Sequence, residues 1–220
     1  MKPLLLLAAL ALALPLAAAS PEDPAATVRV DFSNPGLSPS SWTLVLHPDG
    51  SGHFTAKPGL AAGKGSIDVS PIDRRIQLSP AYAQRVFAVA ASHKVLADKC
   101  DSHLKVAFQG WKTITYQDGG VQGGCRFNYS KDKEIQDLSD SLLAVVMTLI
   151  EGQRLELLLL HDPLGLDKEM GFLVDSSKDR RVQQICAIRG ILQRLEQDQN
   201  VMERVRKRAR MLLASAEREN

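Results

Sequence analysis

Three cysteines in 220 residues cannot all pair with one another, and no two of them show the Cys-x-x-Cys spacing of a redox dithiol or a paired zinc site. There is no Gly-x-Ser-x-Gly elbow, no His-Glu-x-x-His and no phosphate-binding glycine loop. The glycine clusters at 59–65 and 119–124 lack a following helix N-terminus, so they read as turns rather than anion cradles. No internal repeat is present. The longest apolar run, Leu4 to Leu16, falls short of the ~20 residues a membrane-spanning helix needs. Charge of one sign is lacking too, since beyond residue 19 there are 26 basic and 25 acidic groups. No global field selects a polyanion, and nucleic acid is not an expected partner.

What is there begins with an export signal. Lys2 supplies a positive start, Leu4–Leu16 an apolar stretch, and Ala17-Ala18-Ala19 a small-residue cleavage site. The alternative for this segment is an N-terminal anchor. No cysteine follows for lipid attachment, and no paired arginines precede it. Residues 1–19 are therefore expected to be cleaved near Ala19, leaving a periplasmic or extracellular chain in an oxidising compartment.

The pattern of the remaining chain predicts an α+β fold of small antiparallel sheets followed by helices. VRVDF (28–32) alternates as a half-buried strand, and WTLVLHPDGSGHFTA (42–56) reads as a hairpin around Asp49-Gly50. A short strand is expected near Ile67–Val69. Ser79-Pro80 starts a helix reaching the early nineties, with Tyr82, Val86, Val89 and Ala90 recurring at helical spacing. HLKVAF, KTITY and CRFNY predict a three-stranded meander. Ile135, Leu138, Leu142, Val146 and Leu149 then stripe a helix expected to end at Gly152. RLELLLLH (154–161) is ambiguous between helix and strand, with helix favoured by its neighbours. Asp162-Pro163 reads as the start of a further helix capped by Asp162. Ile185, Ile188, Leu192 and Leu195 stripe the next, and Val201, Val205, Ala209 and Leu212 the last. The division is a signal peptide at 1–19, an α+β domain at 20–151 and a helical region at 152–220.

The order of WTLVLHPDGSGHF hairpin, SPAYAQRVF helix, KVAF/KTITY hairpin and IQDLSDSLL helix resembles a family of uncharacterised hairpin–helix–hairpin–helix domains of bacterial secreted proteins. The resemblance covers roughly residues 27–150. It implies a fold and carries no catalytic residue. The cysteine common in that family's loop before the hairpin is absent from SNPGLSPSS (33–41).

Several side chains invite chemistry. Cys100 and Cys125, at the starts of the first and third meander strands, are expected to form a disulfide closing about 25 residues. The rival for Cys100 is a metal site with His103. His47 and His53 flank Asp49 and are weak metal candidates, and His161-Asp162 is better explained by capping. Cys186 reads as a small apolar filler at the edge of a helical stripe, with a nucleophile or an intermolecular disulfide as alternatives. Asn128-Tyr129-Ser130 matches a glycosylation sequon, which matters only in a eukaryotic source. Arg204, Arg206, Lys207, Arg208 and Arg210 spread over the polar face of the last helix, either solvated or docked on an anionic membrane. Residues 178–220 carry 11 basic and 6 acidic groups.

The expectation is an exported envelope protein that binds or supports rather than catalyses. It has no implied cofactor and an unidentified protein partner. The alternatives are a metal-binding protein, an unrecognised enzyme gathering His47, His53 or His103 beside carboxylates, and a peripheral membrane protein using the basic helix.

Overall fold

The computed structural model describes residues 26–59, 71–92 and 100–219. The export signal and the strand expected at 67–69 lie outside the described residues. Among the described residues, six strands form one antiparallel sheet in the order β4-β3-β2-β1-β5-β6. They are β1 (Thr27–Ser33), β2 (Ser41–Leu46), β3 (Ser51–Lys57), β4 (Ile72–Gln77), β5 (Trp111–Asp118) and β6 (Val121–Phe127).

The alternation in the strands puts Val28, Val30, Phe32, Leu44, Phe54, Ile114 and Phe127 on one buried face. Two helices cover that face: α1 (Pro80–Ser92) and the first half of α2 (Lys133–His161). Ser79 caps α1, its Oγ accepting from the Tyr82 amide at 3.2 Å. Asp132 caps α2, its Oδ1 accepting from the Glu134 and Ile135 amides at 2.9 and 3.2 Å.

The two small sheets expected from the sequence are one sheet. β1 pairs with β2 on one side and β5 on the other, so Val30 faces both Leu44 and Ile114 and the hairpins fuse. The meander has two strands, not three, because HLKVAF has no strand partner among the described residues. β4 was not anticipated. In IDRRIQ only Ile72 and Ile76 are buried, too sparse a pattern to announce a strand. Between them Arg74 reaches Glu156 of α2 at 3.4 Å, an inward-pointing charge of the kind that protects a sheet edge.

α2 does not stop at Gly152. It runs unbroken for 29 residues, about 43 Å, and RLELLLLH is its second half. A Cβ on Gly152 would lie 2.4 Å from Cγ2 of buried Ile188, so this glycine admits a neighbouring segment to the helix surface instead of ending the helix. The segment is a 3₁₀ turn (Ile185–Ile188) leading into α4 (Arg189–Gln197) and then α5 (Glu203–Glu217). α3 (Leu166–Lys178) begins three residues after Pro163 rather than at it. Residues 163–165 form a turn in which Asp162 O and Oδ1 accept from the Gly165 amide at 3.0 and 3.3 Å.

The boundary expected at 151/152 falls inside α2, where two apolar cores meet. The sheet core ends on α2 at Ile150, and the core of α3, α4 and α5 begins at Leu155. Between them lies Glu151, 1 % exposed. Arg154 Nη1 bridges Glu151 Oε1 at 3.2 Å and Glu169 Oε1 of α3 at 3.0 Å. Burial, and then the adjacent Glu169 carboxyl, push the Glu151 pKa up despite Arg154. Burial alone would raise Glu169 as well, but hydrogen bonding with Glu151 and Arg154 prevails and holds it low.

The signs are opposite. A carboxyl raised in the fold weakens stability as pH climbs above the ordinary carboxylate range, because the unfolded chain ionises first. The lowered Glu169 weakens stability as pH falls below that range. Glu151→Gln should therefore remove a loss of about 1.4 kcal/mol per pH unit on the rising side of the range. Urea midpoints measured across pH read this out directly, and an equal slope in both proteins would contradict the assignment.

Candidate docking site at the disulfide-held loop

Cys100 and Cys125 are joined, with Cα atoms 6.0 Å apart. The pairing matches the expectation, but the geometry behind it differs. Cys125 is not at a strand start; it sits within β6 opposite Ile114, with its side chain in the core. Cys100 reaches it from the segment that leads to β5. Closing 25 residues in this way stabilises by about 3 kcal/mol in the chain-entropy model.

Between the disulfide and β5 the chain leaves the sheet as a loop fastened at both ends. At one end the Ser102 amide donates to Tyr129 O at 2.9 Å. At the other, Asn128 Oδ1 accepts from the Gln109 amide at 2.9 Å, and Asn128 Nδ2 donates to Ala107 O at 3.2 Å. Asn34 Nδ2 donates to Gln109 O at 3.1 Å. Gly110, at φ +126°, runs close against the Phe32 ring, where any Cβ would collide. The Asn128 amide of the sequon is thus committed to holding this loop, and Ser130 is buried.

The alternation of HLKVAF is real, but it does not belong to a sheet. Leu104, Val106 and Phe108 are 49, 43 and 52 % exposed. The Val106 amide donates to Leu104 O at 2.9 Å, a local bond in place of a cross-strand ladder. Phe108 meets Trp111 edge-on at 5.8 Å, and the Arg126 guanidinium lies over the Trp111 ring at 4.6 Å. Beneath the loop, Lys112 is 2 % exposed on the inner face, its ammonium 5.3 Å from the Phe127 ring centroid. Burial lowers its pKa, and Asp140 opposes that shift. The sequence reading overlooked Lys112, although its parity with Ile114 and Tyr116 in KTITY places it inward.

The structure does not assemble the metal candidates. Cys100 is consumed by the disulfide, and His103, at φ +52°, pairs with Asp101 at 3.0 Å. His53 pairs with Asp73 of β4 at 2.9 Å. Asp49 accepts from the Ser51 amide and hydroxyl at 2.9 and 2.7 Å, and the Ser51 bonds hold its pKa low. The His47 amide closes the same turn on Ser51 O. Among the described residues, no three His, Cys, Asp or Glu side chains are placed to share an ion.

The basic helix is also not the free surface that its charges suggested. Arg204 and Arg208 both reach Asp167 of α3, at 2.7 and 2.6 Å. Arg206 and Arg210 pair with Glu203 at 2.5 and 2.7 Å, and Arg206 also donates to Gln199. Lys207 alone of the five has no ion pair among the described residues. Cys186 is half-buried at the rim of the helical core, with Sγ 3.6 Å from Gln184 Oε1. Burial, and then Glu219, raise its pKa, which suits a filler rather than a nucleophile.

Unfolded, unreduced protein should therefore present one reactive thiol, Cys186, and reduction should lower stability by about 3 kcal/mol in urea. Three reactive thiols before reduction would contradict the bridge. No family model matches the chain, and no curated protein matches it.

Proposed function

We propose that the protein is an exported, non-catalytic component of the cell envelope that docks on an anionic lipid surface through the loop at 103–111. The observation that carries this reading is the set of apolar side chains, Leu104, Val106 and Phe108, projecting from a loop anchored at both ends. The charge around them suits an anionic surface. Lys105 lies among them, residues 102–111 contain no acidic residue, and the exposed Arg126 lies over the Trp111 ring at the loop base. An aromatic ring at the base of an apolar tip fits the interface between headgroups and acyl chains. The leader at 1–19 and the disulfide both suit an oxidising compartment outside the cytoplasm.

The magnitudes favour reversible attachment. Burying the exposed half of three such side chains contributes about 3 kcal/mol. Lys105 and Arg126 near an anionic surface add about 1 kcal/mol each. The total of about 5 kcal/mol corresponds to a sub-millimolar affinity, comparable to a single acyl chain. The basic helix is the weaker candidate for this contact because four of its five cations already have partners in the protein.

The mature chain should sediment with vesicles containing anionic phospholipid and much less with purely zwitterionic ones. Replacing Leu104, Val106 and Phe108 together by Ser should weaken that binding about a hundredfold, whereas Lys207→Gln should change it little. Binding that survives the loop substitutions, or that is lost with Lys207→Gln, would overturn the proposal.

A further inference from the structure

A second surface is of the opposite character. The polypeptide linking α3 to the 3₁₀ turn, together with α1 and the end of α5, encloses a cleft of about 460 Å³. That volume is within the range of small-molecule sites. Three arginines from three parts of the fold line it: Arg85 of α1, Arg180 of the linker and Arg218 after α5. Ser177 and Ser215 add hydroxyls.

Arg29, Arg74, Arg154, Arg181, Arg204, Arg206, Arg208 and Arg210 each bond a carboxylate. Arg85, Arg180 and Arg218 have no such partner among the described residues. What sets the cleft arginines apart is convergence, because Arg75, Arg126, Arg189 and Arg194 also bond no carboxylate among the described residues but do not line this cleft. Arg85 lies over the Tyr82 ring, 5.6 Å from its centroid. One carboxylate does enter the cleft, that of Glu219, whose Oε2 accepts from the Cys186 amide at 3.4 Å. The Ile185 and Gln184 amides are directed at it too. The charges lining the cleft are thus three positive and one negative.

The walls are held in place before any ligand arrives. Arg180 and Gln184 both adopt left-handed backbone at φ +57°, strain that the surroundings must enforce. Gln184 is buried, and its Oε1 accepts from the Ser79 amide at 2.8 Å. Gln183 accepts from Ser141 Oγ at 2.8 Å, and its carbonyl accepts from Thr148 Oγ1 at 2.6 Å. The linker is therefore clamped to α1 and α2 on either side of the cleft. Clamped donors bind at a smaller entropic penalty than mobile ones.

We infer that this cleft binds a dianionic oxyanion, of the phosphate-monoester or dicarboxylate class. A net charge of +2 complements a dianion, and planar guanidinium forks match the paired oxygens of both groups. Glu219 occupies the Cys186 amide, so the ligand's oxygens fall to the three arginines and to the Ser177 and Ser215 hydroxyls. The site stands apart from the lipid-docking loop and does not depend on it.

The test uses the full mature chain, with inorganic phosphate and malonate as separate probes against chloride at matched ionic strength, read by calorimetric titration. Saturable binding of phosphate, malonate or both is expected, and the preference between them assigns the ligand class. The double substitution Arg85→Gln, Arg218→Gln should weaken binding about tenfold or more. Arg189→Gln with Arg194→Gln removes the same charge outside the cleft and should leave it within about twofold. Saturable binding of neither probe, or equal loss in both double variants, would overturn the inference. None of these four arginines bonds a carboxylate among the described residues, so they can be replaced without unfolding the chain, and far-UV circular dichroism checks this.

Discussion

A single helix that belongs to two cores is the constraint on which this structure depends. α2 is far longer than either core requires, and its stability comes from burial along its length rather than from propensity alone. Its first half closes the sheet, and its second half supports α3, α4 and α5. At the crossing point the absence of a side chain at Gly152 lets Ile188 approach, and the Glu151–Arg154–Glu169 group ties α2 to α3. Arg74 with Glu156 and Thr148 with Gln183 fasten the sheet edge and the α3–α4 linker to the same helix. Each of these contacts fails if α2 bends or stops at its midpoint.

Both proposed surfaces inherit their rigidity from that arrangement. The loop at 103–111 leaves the sheet beside β6, whose inner face packs on the first half of α2, and the disulfide fixes its base. The arginine cleft is set by the linker that α2 and α1 hold between them. One surface is apolar with a few cations, and the other is polar with a surplus of guanidinium. Physical chemistry therefore assigns them different ligands, and neither requires the other.

Local patterns were legible in the sequence wherever a contact lay within a few residues. The parity of VRVDF and the Ser79 cap appear as expected, because period and capping are properties of neighbouring residues. The striped residues of the last two helices are all buried, although Ile185 and Ile188 lie in the 3₁₀ turn and Val201 ahead of α5. The disulfide was legible from cysteine count and compartment, even though the strand argument for its geometry was not correct. What failed was long-range. Gly152 looks like a stop, and only Ile188, 36 residues later, reveals it as a contact. HLKVAF alternates like a strand, yet nothing in its own residues says that no strand pairs with it. The arginines of α5 look solvated until Asp167 and Glu203 are placed beside them. The arginine cleft draws residues from α1, the α3–α4 linker and α5, and no spacing in the sequence encodes that convergence.

The continuity of α2 can be examined by unfolding, because the two halves of the molecule carry different signals. Trp42 and Trp111 both lie in the sheet, so tryptophan fluorescence reports that half. α3, α4 and α5 contribute much of the far-UV circular dichroism of the other half. Both probes should be followed through one urea titration of the oxidised mature protein. A shared helix predicts superimposable transitions with one midpoint. Two separated midpoints would show cores that unfold independently and would contradict the account.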